Sequence, residues 1–328
     1  MDLALDFGNV KQPLTICNGM GWNSWAMLVG FYERGIRPDL IITAHTGSEK
    51  NATYEAQPRL HAWLEKVGFP AVTYVRYEPK NFKNWPPYHT LEDNCLTNGT
   101  LPSLAFGGRK NCSAKWKVTP QLQWMKDWEP ARRAWSAGVK VIKCIGFDAS
   151  PIDARRCNTY AKMPPDEVDK YEIQYPLIDW DWDREECGRQ IRRHGLEPPP
   201  KSSCFFCPAM KTHEVRVLPK DELKRIVVME ARAKPKLQKI QGLWGNGIKG
   251  VRGGDKRPGS MTEFIRQEGL LSDDVIRELT TETPKEIVAY QEGYAQALEA
   301  GNADAYLKSQ PNDYRQKKGL TDDNDSNT

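Results

Sequence analysis

Leu14-Thr15-Ile16-Cys17-Asn18-Gly19-Met20-Gly21-Trp22-Asn23-Ser24 joins a short β-rich run to a turn with two glycines and then to the start of an amphipathic segment. Leu14 to Cys17 reads as a strand. Ser24 to Arg34 reads as a helix that aligns Trp25, Leu28, Val29 and Tyr32 on one face and is closed by Gly35. The pattern then repeats. Asp39 to Ala44 is a second strand. Leu60, Trp63, Leu64 and Val67 mark a second helix, with Pro58 near its start and Gly68 at its end, and Ala71 to Val75 and Val139 to Phe147 supply two more strands. This alternation predicts an α/β domain on a doubly wound, mostly parallel sheet, because the crossovers between parallel strands place helices on both faces.

In open sheets of this kind ligands bind outside the carboxyl ends of the strands, where a helix N-terminus offers amides and a positive dipole end. Gly19 and Gly21 would let the backbone approach an anion, and Ser24 is placed to donate to a phosphate or to cap the helix. Gly19, Gly21, Asn23 and Ser24 are therefore candidate nucleotide-binding residues. A tight turn selects glycine without any ligand as well. His45-Thr46-Gly47-Ser48-Glu49 follows the second strand and Ile145 to Arg156 the fourth, which aims both segments at the same crevice. Thr46, Gly47, Glu49 and Asp148 join the candidates on that ground. Arg155 and Arg156 either hold a second phosphate or sulfate or belong to a solvated helix face.

Between the third and fourth strands, Arg76 to about Gly108 is a long insertion rich in Asn, Pro and Gly, and long loops in compact domains are often functional. Helical segments are expected at about Lys220 to Lys234, Met261 to Glu268 and Pro284 to Ala300. Residues 242–259 hold seven glycines with Lys249, Arg252, Lys256 and Arg257, the composition of a flexible linker or of a loop folded over a polyanion. The expected organisation is an α/β nucleotide-binding domain over residues 10–210, a helical C-terminal extension over 211–308 and a disordered acidic tail over 309–328.

The chain has 328 residues, 39% hydrophobic and 27% charged, and no apolar run approaches the ~18 residues of a membrane span. With no recognisable secretion signal, the expected compartment is the cytoplasm and no membrane partner is expected. A net charge of +4 argues against a strongly basic nucleic-acid binder, so any such role must rest on local charge. The eight cysteines are then better read as thiols or metal ligands than as a disulfide framework. Cys204-Phe205-Phe206-Cys207 can clasp one metal centre if partner ligands exist, and is otherwise a pair of small buried residues beside the turn at Pro208.

Taken together, roughly residues 14 to 210 resemble the adenine-nucleotide α-hydrolase-like enzymes, which include phosphoadenosine phosphosulfate (PAPS) reductases and PP-loop ATP pyrophosphatases. Gly19-Met20-Gly21-Trp22-Asn23-Ser24 occupies the place of their Ser-Gly-Gly-x-Asp-Ser loop. His45-Thr46-Gly47-x-Glu49 with Thr53-Tyr54 looks like their second loop, with His45 in place of an acid. Cys112-Ser113-Ala114-Lys115-Trp116-Lys117-Val118-Thr119-Pro120 is similar to the Cys-Cys-x-x-Arg-Lys-x-x-Pro stretch of iron–sulfur adenylyl-sulfate reductases, which a Cys-x-x-Cys follows further along. Ser113 stands where the second cysteine belongs. The resemblance implies an adenine nucleotide with Mg²⁺, and a 4Fe–4S cluster (zinc in the alternative) on Cys112, Cys204, Cys207 and a fourth ligand. Cys187 is preferred for that position and Cys95 is the alternative. Lys115 and Lys117 are implied beside the nucleotide, with a pair on the surface as the alternative. Cys17, Cys144 and Cys157 read as structural.

Sulfonucleotide reductases carry a mobile C-terminal Glu-Cys-Gly whose thiolate attacks the sulfate, and here no cysteine follows Cys207. Glu186-Cys187-Gly188 lies mid-chain, inside an expected helix from Asp183 to His194, where a thiol makes a poor nucleophile. The function expected is ATP-dependent adenylation with transfer of sulfur or nitrogen to a nucleobase or nucleic acid, as the similar component of DNA phosphorothioation systems suggests. Ser24 and Lys117 would be catalytic, and a sulfur-donor protein a partner. Two alternatives stand. One is PAPS or adenylyl-sulfate reduction with Cys187 as nucleophile. The other is a non-catalytic, zinc-containing nucleotide- or nucleic-acid-binding protein, favoured by Met20, Asn23 and His45, each a departure from the family pattern.

Overall fold

Each of the four expected strands forms, and a fifth joins them. β1 (Leu14–Cys17), β2 (Leu40–Ala44), β3 (Val72–Val75), β4 (Val141–Ile145) and β5 (Tyr171–Gln174) make an all-parallel sheet in the order β3-β2-β1-β4-β5. The computed structural model describes residues 10–79, 84, 86–107, 111–160, 165–248, 256–281, 292–293, 295–302 and 305–306. Ile16 of β1 stands opposite Ile41 of β2 and Cys144 of β4, so three apolar side chains line up across the middle of one face. That face is covered by helix α1 (Trp22–Glu33), helix α2 (Asn51–Val67) and the helix Arg184–Arg193. Leu40, Ile42, Ala44 and Val141 point to the other face, against the helices Thr119–Met125 and Glu129–Ser136. Alternation with a period of two thus supplies two cores, and each fully buried Leu or Ile contributes about 2 kcal/mol.

α1 is buried along Ser24 to Phe31 on every side, more fully than a one-face helix. Gly30 is the reason it can be: a Cβ there would stand 2.1 Å from the Trp180 ring. Tyr32, expected in the buried stripe, is 43% exposed. α2 begins at Asn51 and carries Pro58 in its interior, so the proline is not its start signal. Pro58 removes one backbone bond, while the preceding turn is held by Thr53 N–H to the Lys50 carbonyl and by Gln57 to the Thr53 carbonyl.

The chain divides into two compact units, both discontinuous. The first draws on Met1–His45, Glu49–Arg76 and Lys117–Ser203 and contains the sheet; the second draws on Thr46–Ser48, Tyr77–Trp116 and Cys204–Thr328. The insertion falls in the second unit with the C-terminal residues. The insertion is also more regular than a loop. Helix α3 (Leu91–Asn98) is started by a reciprocal cap between Thr90 and Asp93 and closed by Gly99 at φ 53°. Arg225, on the helix Lys220–Ala233, grips Glu92 with two bonds. The same helix presents buried Glu230, which accepts from the amides of Leu243, Met261 and Thr262 at 2.6, 2.9 and 2.8 Å and from the Ser260 hydroxyl at 2.6 Å. The helices Met261–Gln267 and Asp273–Thr281 complete this core, the latter unforeseen. Most of the helix expected at 284–300, and the tail at 309–328, lie outside the described residues. Among the described residues no helix is long and apolar enough to cross a membrane.

Candidate functional site

The turn after β1 is built by Asn18. Its side-chain carbonyl accepts from the Met20 amide and its Nδ2 donates to Thr43 at 2.9 Å, which stabilises Met20 at φ 59°, a left-handed conformation few side chains adopt. The Ser24 hydroxyl accepts from the Gly19 amide at 2.8 Å and so closes the loop on itself. Gly21 is the N-cap of α1, which has no side-chain cap. A Cβ on Gly21 would stand 2.6 Å from the Ser202 Oγ, the end of a side chain that can turn aside, so glycine eases this approach without being required by it. The result is a bare helix N-terminus at the carboxyl end of β1.

Strand order reverses between β1 and β4, the place where open α/β sheets bind ligands. Gly146 lets the exit of β4 press on the first turn of α1, since a Cβ would stand 3.1 Å from the Asn23 carbonyl carbon. There a polar network forms inside the first unit. Asn23 Nδ2 donates to Asp148 at 3.1 Å and Asp153 at 3.2 Å, while Arg184 donates to the Asn23 carbonyl at 2.9 Å. Arg156 bonds Asp153 at 2.7 Å. Asp148 and Asp153 are 5% and 8% exposed. Arg184 lies over the Trp22 ring, 4.2 Å from its centroid, and Arg156 over Phe147 at 4.8 Å. Two carboxylates are thus balanced by two guanidiniums beside α1 amides, an arrangement suited to an anion that carries a cation with it. Arg155 is exposed and donates to the Pro151 carbonyl, on the solvated side of its helix.

Glu49, 1% exposed, is bonded by Lys117 at 2.7 Å in the same unit. The amide of Glu49 donates to the Tyr54 hydroxyl, and the Tyr54 ring stacks on His45 at 4.9 Å. Burial, reinforced by the Arg76 cation, holds the His45 imidazole below its ordinary value although Glu49 opposes the shift. Thr46 and Gly47 belong to the second unit. There the Thr46 carbonyl accepts from the Leu91 amide and the Ser48 hydroxyl from the Glu92 amide, so this segment anchors the start of α3.

The cysteines separate into two groups. Cys95, Cys112, Cys204 and Cys207 all join the core of the second unit. Cys187 is fully buried in the core of the first, its thiol pushed up to about 12 by burial and by Asp148. Cys187, the preferred fourth ligand, lies in the first unit, and Cys95, the alternative, lies in the second with the other three. Burial, together with Glu92, Cys112 and Asp93, pushes the Cys95 thiol well up. No disulfide forms among the described residues. Nor, among them, do three Cys, His, Asp or Glu side chains stand at the spacing of metal ligands. The donor set, four thiols from three segments, is nevertheless of the kind that iron–sulfur clusters and zinc take. Cys17 and Cys144 lie in β1 and β4, and Cys157 is buried in its helix.

Arg184 escaped the sequence reading, and Asn18 and Asp153, inside the segments it singled out, were given no role. Asp183 signals an N-cap, and its side chain accepts from the Glu186 amide at 2.8 Å, which places Arg184 at the first position of a helix. No family model and no curated protein matches the chain.

Proposed function

We propose that the sheet-bearing unit is a PAPS reductase-like, adenine-nucleotide-binding enzyme of the α-hydrolase-like class, which uses ATP to adenylate a nucleobase or nucleic acid for sulfur or nitrogen transfer. The observation that carries this reading is the convergence of the uncapped α1 N-terminus, Asn23, Asp148, Asp153, Arg156 and Arg184 where β1 and β4 diverge. The amides of α1 and the Arg184 guanidinium meet negative charge at the phosphates. Ser24 keeps the loop in shape through Gly19 and so positions those amides. Lys117, tied to Glu49, supplies a further cation in the same unit. Hard carboxylate oxygens suit Mg²⁺, so Asp148 and Asp153 are the residues that would hold it, and it supplies charge neutralisation on the nucleotide phosphates. Cys95, Cys112, Cys204 and Cys207 would hold the 4Fe–4S cluster, or zinc in the alternative, and the cluster would supply sulfur chemistry.

Buried Cys187 weighs against the reductase reading, since a shuttle thiol needs exposure and a lowered pKa. The test is anaerobic incubation with ATP, Mg²⁺ and an oligonucleotide or nucleobase acceptor. Pyrophosphate release that is lost in Asn23→Ala supports the proposal. No pyrophosphate with any such acceptor, or sulfite release from PAPS, overturns it.

A further inference from the structure

We propose a nucleic-acid-binding pocket in the second unit, formed by the glycine-rich stretch after the helix Lys220–Ala233 and taking one phosphodiester-linked nucleotide of a single strand. The inference deepens the function proposed above by naming a polynucleotide as the acceptor, and it rests on that reading only for what happens after binding.

The described part of 242–259 is a folded knot and no linker. Gly245 N–H bonds the Gly242 carbonyl at 2.9 Å and Gln241 N–H the Gly245 carbonyl at 2.8 Å, while Ile248 and Arg257 exchange backbone bonds at 2.8 and 3.1 Å. Trp244 N–H closes on the Gly259 carbonyl at 2.9 Å, and Gly259 N–H on the Gln241 side chain at 2.9 Å. Glycine is required where these turns touch: a Cβ on Gly259 would stand 2.3 Å from the Gly245 carbonyl oxygen, and one on Gly242 as close to the Glu230 carboxylate. Such order in so glycine-rich a stretch costs conformational entropy, which a linker would not incur.

The described residues of this stretch border an open cleft of about 680 Å³ lined by Gln241, Asn246, Gly247, Ile248, Lys256, Arg257, Pro258 and Gln267. Among the described residues that line it are two cations and three side-chain amides, and no acid. The Arg257 Nη1 is buried without a hydrogen bond, while its guanidinium is fixed 4.5 Å over the Trp244 ring. A guanidinium held in place at the wall of the cleft presents a fixed cation to an anionic oxygen. Ile248, 42% exposed, and Pro258 offer apolar walls for a sugar or base, and the amides offer donors and acceptors to base edges. An inorganic anion alone would leave most of the space unused.

The shared chemistry is a nucleotide phosphate, carried by a strand or by a free nucleotide, and the arms of the test separate the two. Anisotropy of a labelled single-stranded oligonucleotide is measured with the full chain, without ATP, across a salt series, with a mononucleotide and inorganic phosphate as competitors. Failure here is thus distinct from failure of pyrophosphate release. Lys256→Glu, at an exposed position, is expected to weaken binding about tenfold and to lower the log K against log salt slope by about 0.7 per lost phosphate contact. Asn246→Ala is expected to weaken binding with the slope unchanged. An oligonucleotide that does not bind, one displaced equally by mononucleotide or phosphate at matched phosphate concentration, or a Lys256→Glu variant with unchanged affinity and slope overturns the proposal.

Discussion

Asn23→Asp tests whether the network between β1 and β4 is held by an uncharged donor. The Asn23 amide stands 3.1 and 3.2 Å from two carboxylate oxygens, and its own carbonyl takes the Arg184 bond. A third carboxylate there keeps the Arg184 contact but turns two donor contacts into repulsions. Unit charges ~4 Å apart interact by about 4 kcal/mol at an effective dielectric of about 20. Arg156 and Arg184 offset much of this, which leaves a loss of about 2 kcal/mol. Protonation relieves the added charge, so the folded variant binds protons more readily than its unfolded chain, and the loss is greatest near neutral pH and shrinks toward about pH 4. Asn23→Ala removes the donors without adding charge and is expected to cost about 1–2 kcal/mol with little change in pH slope. Urea unfolding of both variants and the parent at several pH values measures this. An Asn23→Asp chain as stable as the parent at neutral pH, or with an unchanged pH slope, would refute the reasoning.

Four further outcomes follow from the structure. Cys95→Ser is expected to abolish most bound iron or zinc after anaerobic purification. Cys187→Ser should leave the metal count intact while lowering stability by about 1–3 kcal/mol, because a hydroxyl replaces a fully buried thiol; metal and sulfide counts beside a urea titration separate the two. Glu230→Gln is expected to cost about 3 kcal/mol, since three amides and a hydroxyl lose a charged acceptor, read as a lowered urea midpoint. His45 is held below its ordinary value by burial and Arg76, so the unfolded chain takes up that proton first. Its contribution is in place above about pH 6.5 and is lost as pH falls through the lower folded value; His45→Gln should flatten the acid limb of the stability–pH curve.

The strands around the candidate site were legible because fully buried parallel strands are short apolar runs, as in Leu40–Ala44. β5 was not, since Tyr171-Glu172-Ile173-Gln174 is an edge strand with polar residues along it. Periodicity placed one face of α1 in the core, yet glycine at 30 admits Trp180 on another, a contact no helical pattern encodes. The loop residues Gly19 to Ser24 were found by their place after a strand, while Arg184 and Asp153 reach the same network from segments far along the chain. Spacing along the chain favoured Cys187 as the partner of Cys204 and Cys207, with Cys95 the alternative; that α3 packs Cys95 into the same core as that pair is not written in the spacing. The glycines of 242–259 permitted both a linker and a knot, and only the bonds to Gln241 and Glu230 decide between them.

The interleaving of the two units bears on how the chain is made. β1 is the central strand, and its partner on one side, β4, begins at Val141. At a synthesis rate of about 5–20 residues per second, β1 and β2 leave the ribosome several seconds before that partner exists. During this interval the β4-facing edge of β1 offers unpaired amides and carbonyls beside Ile16, a template for pairing with another chain. The whole of residues 77–116 must also be set aside before the sheet can close. Nascent chains of this protein are therefore expected to depend on holding factors or slow synthesis, and expression at reduced temperature should raise the yield of folded protein more than it does for α/β domains whose strands arrive in uninterrupted succession.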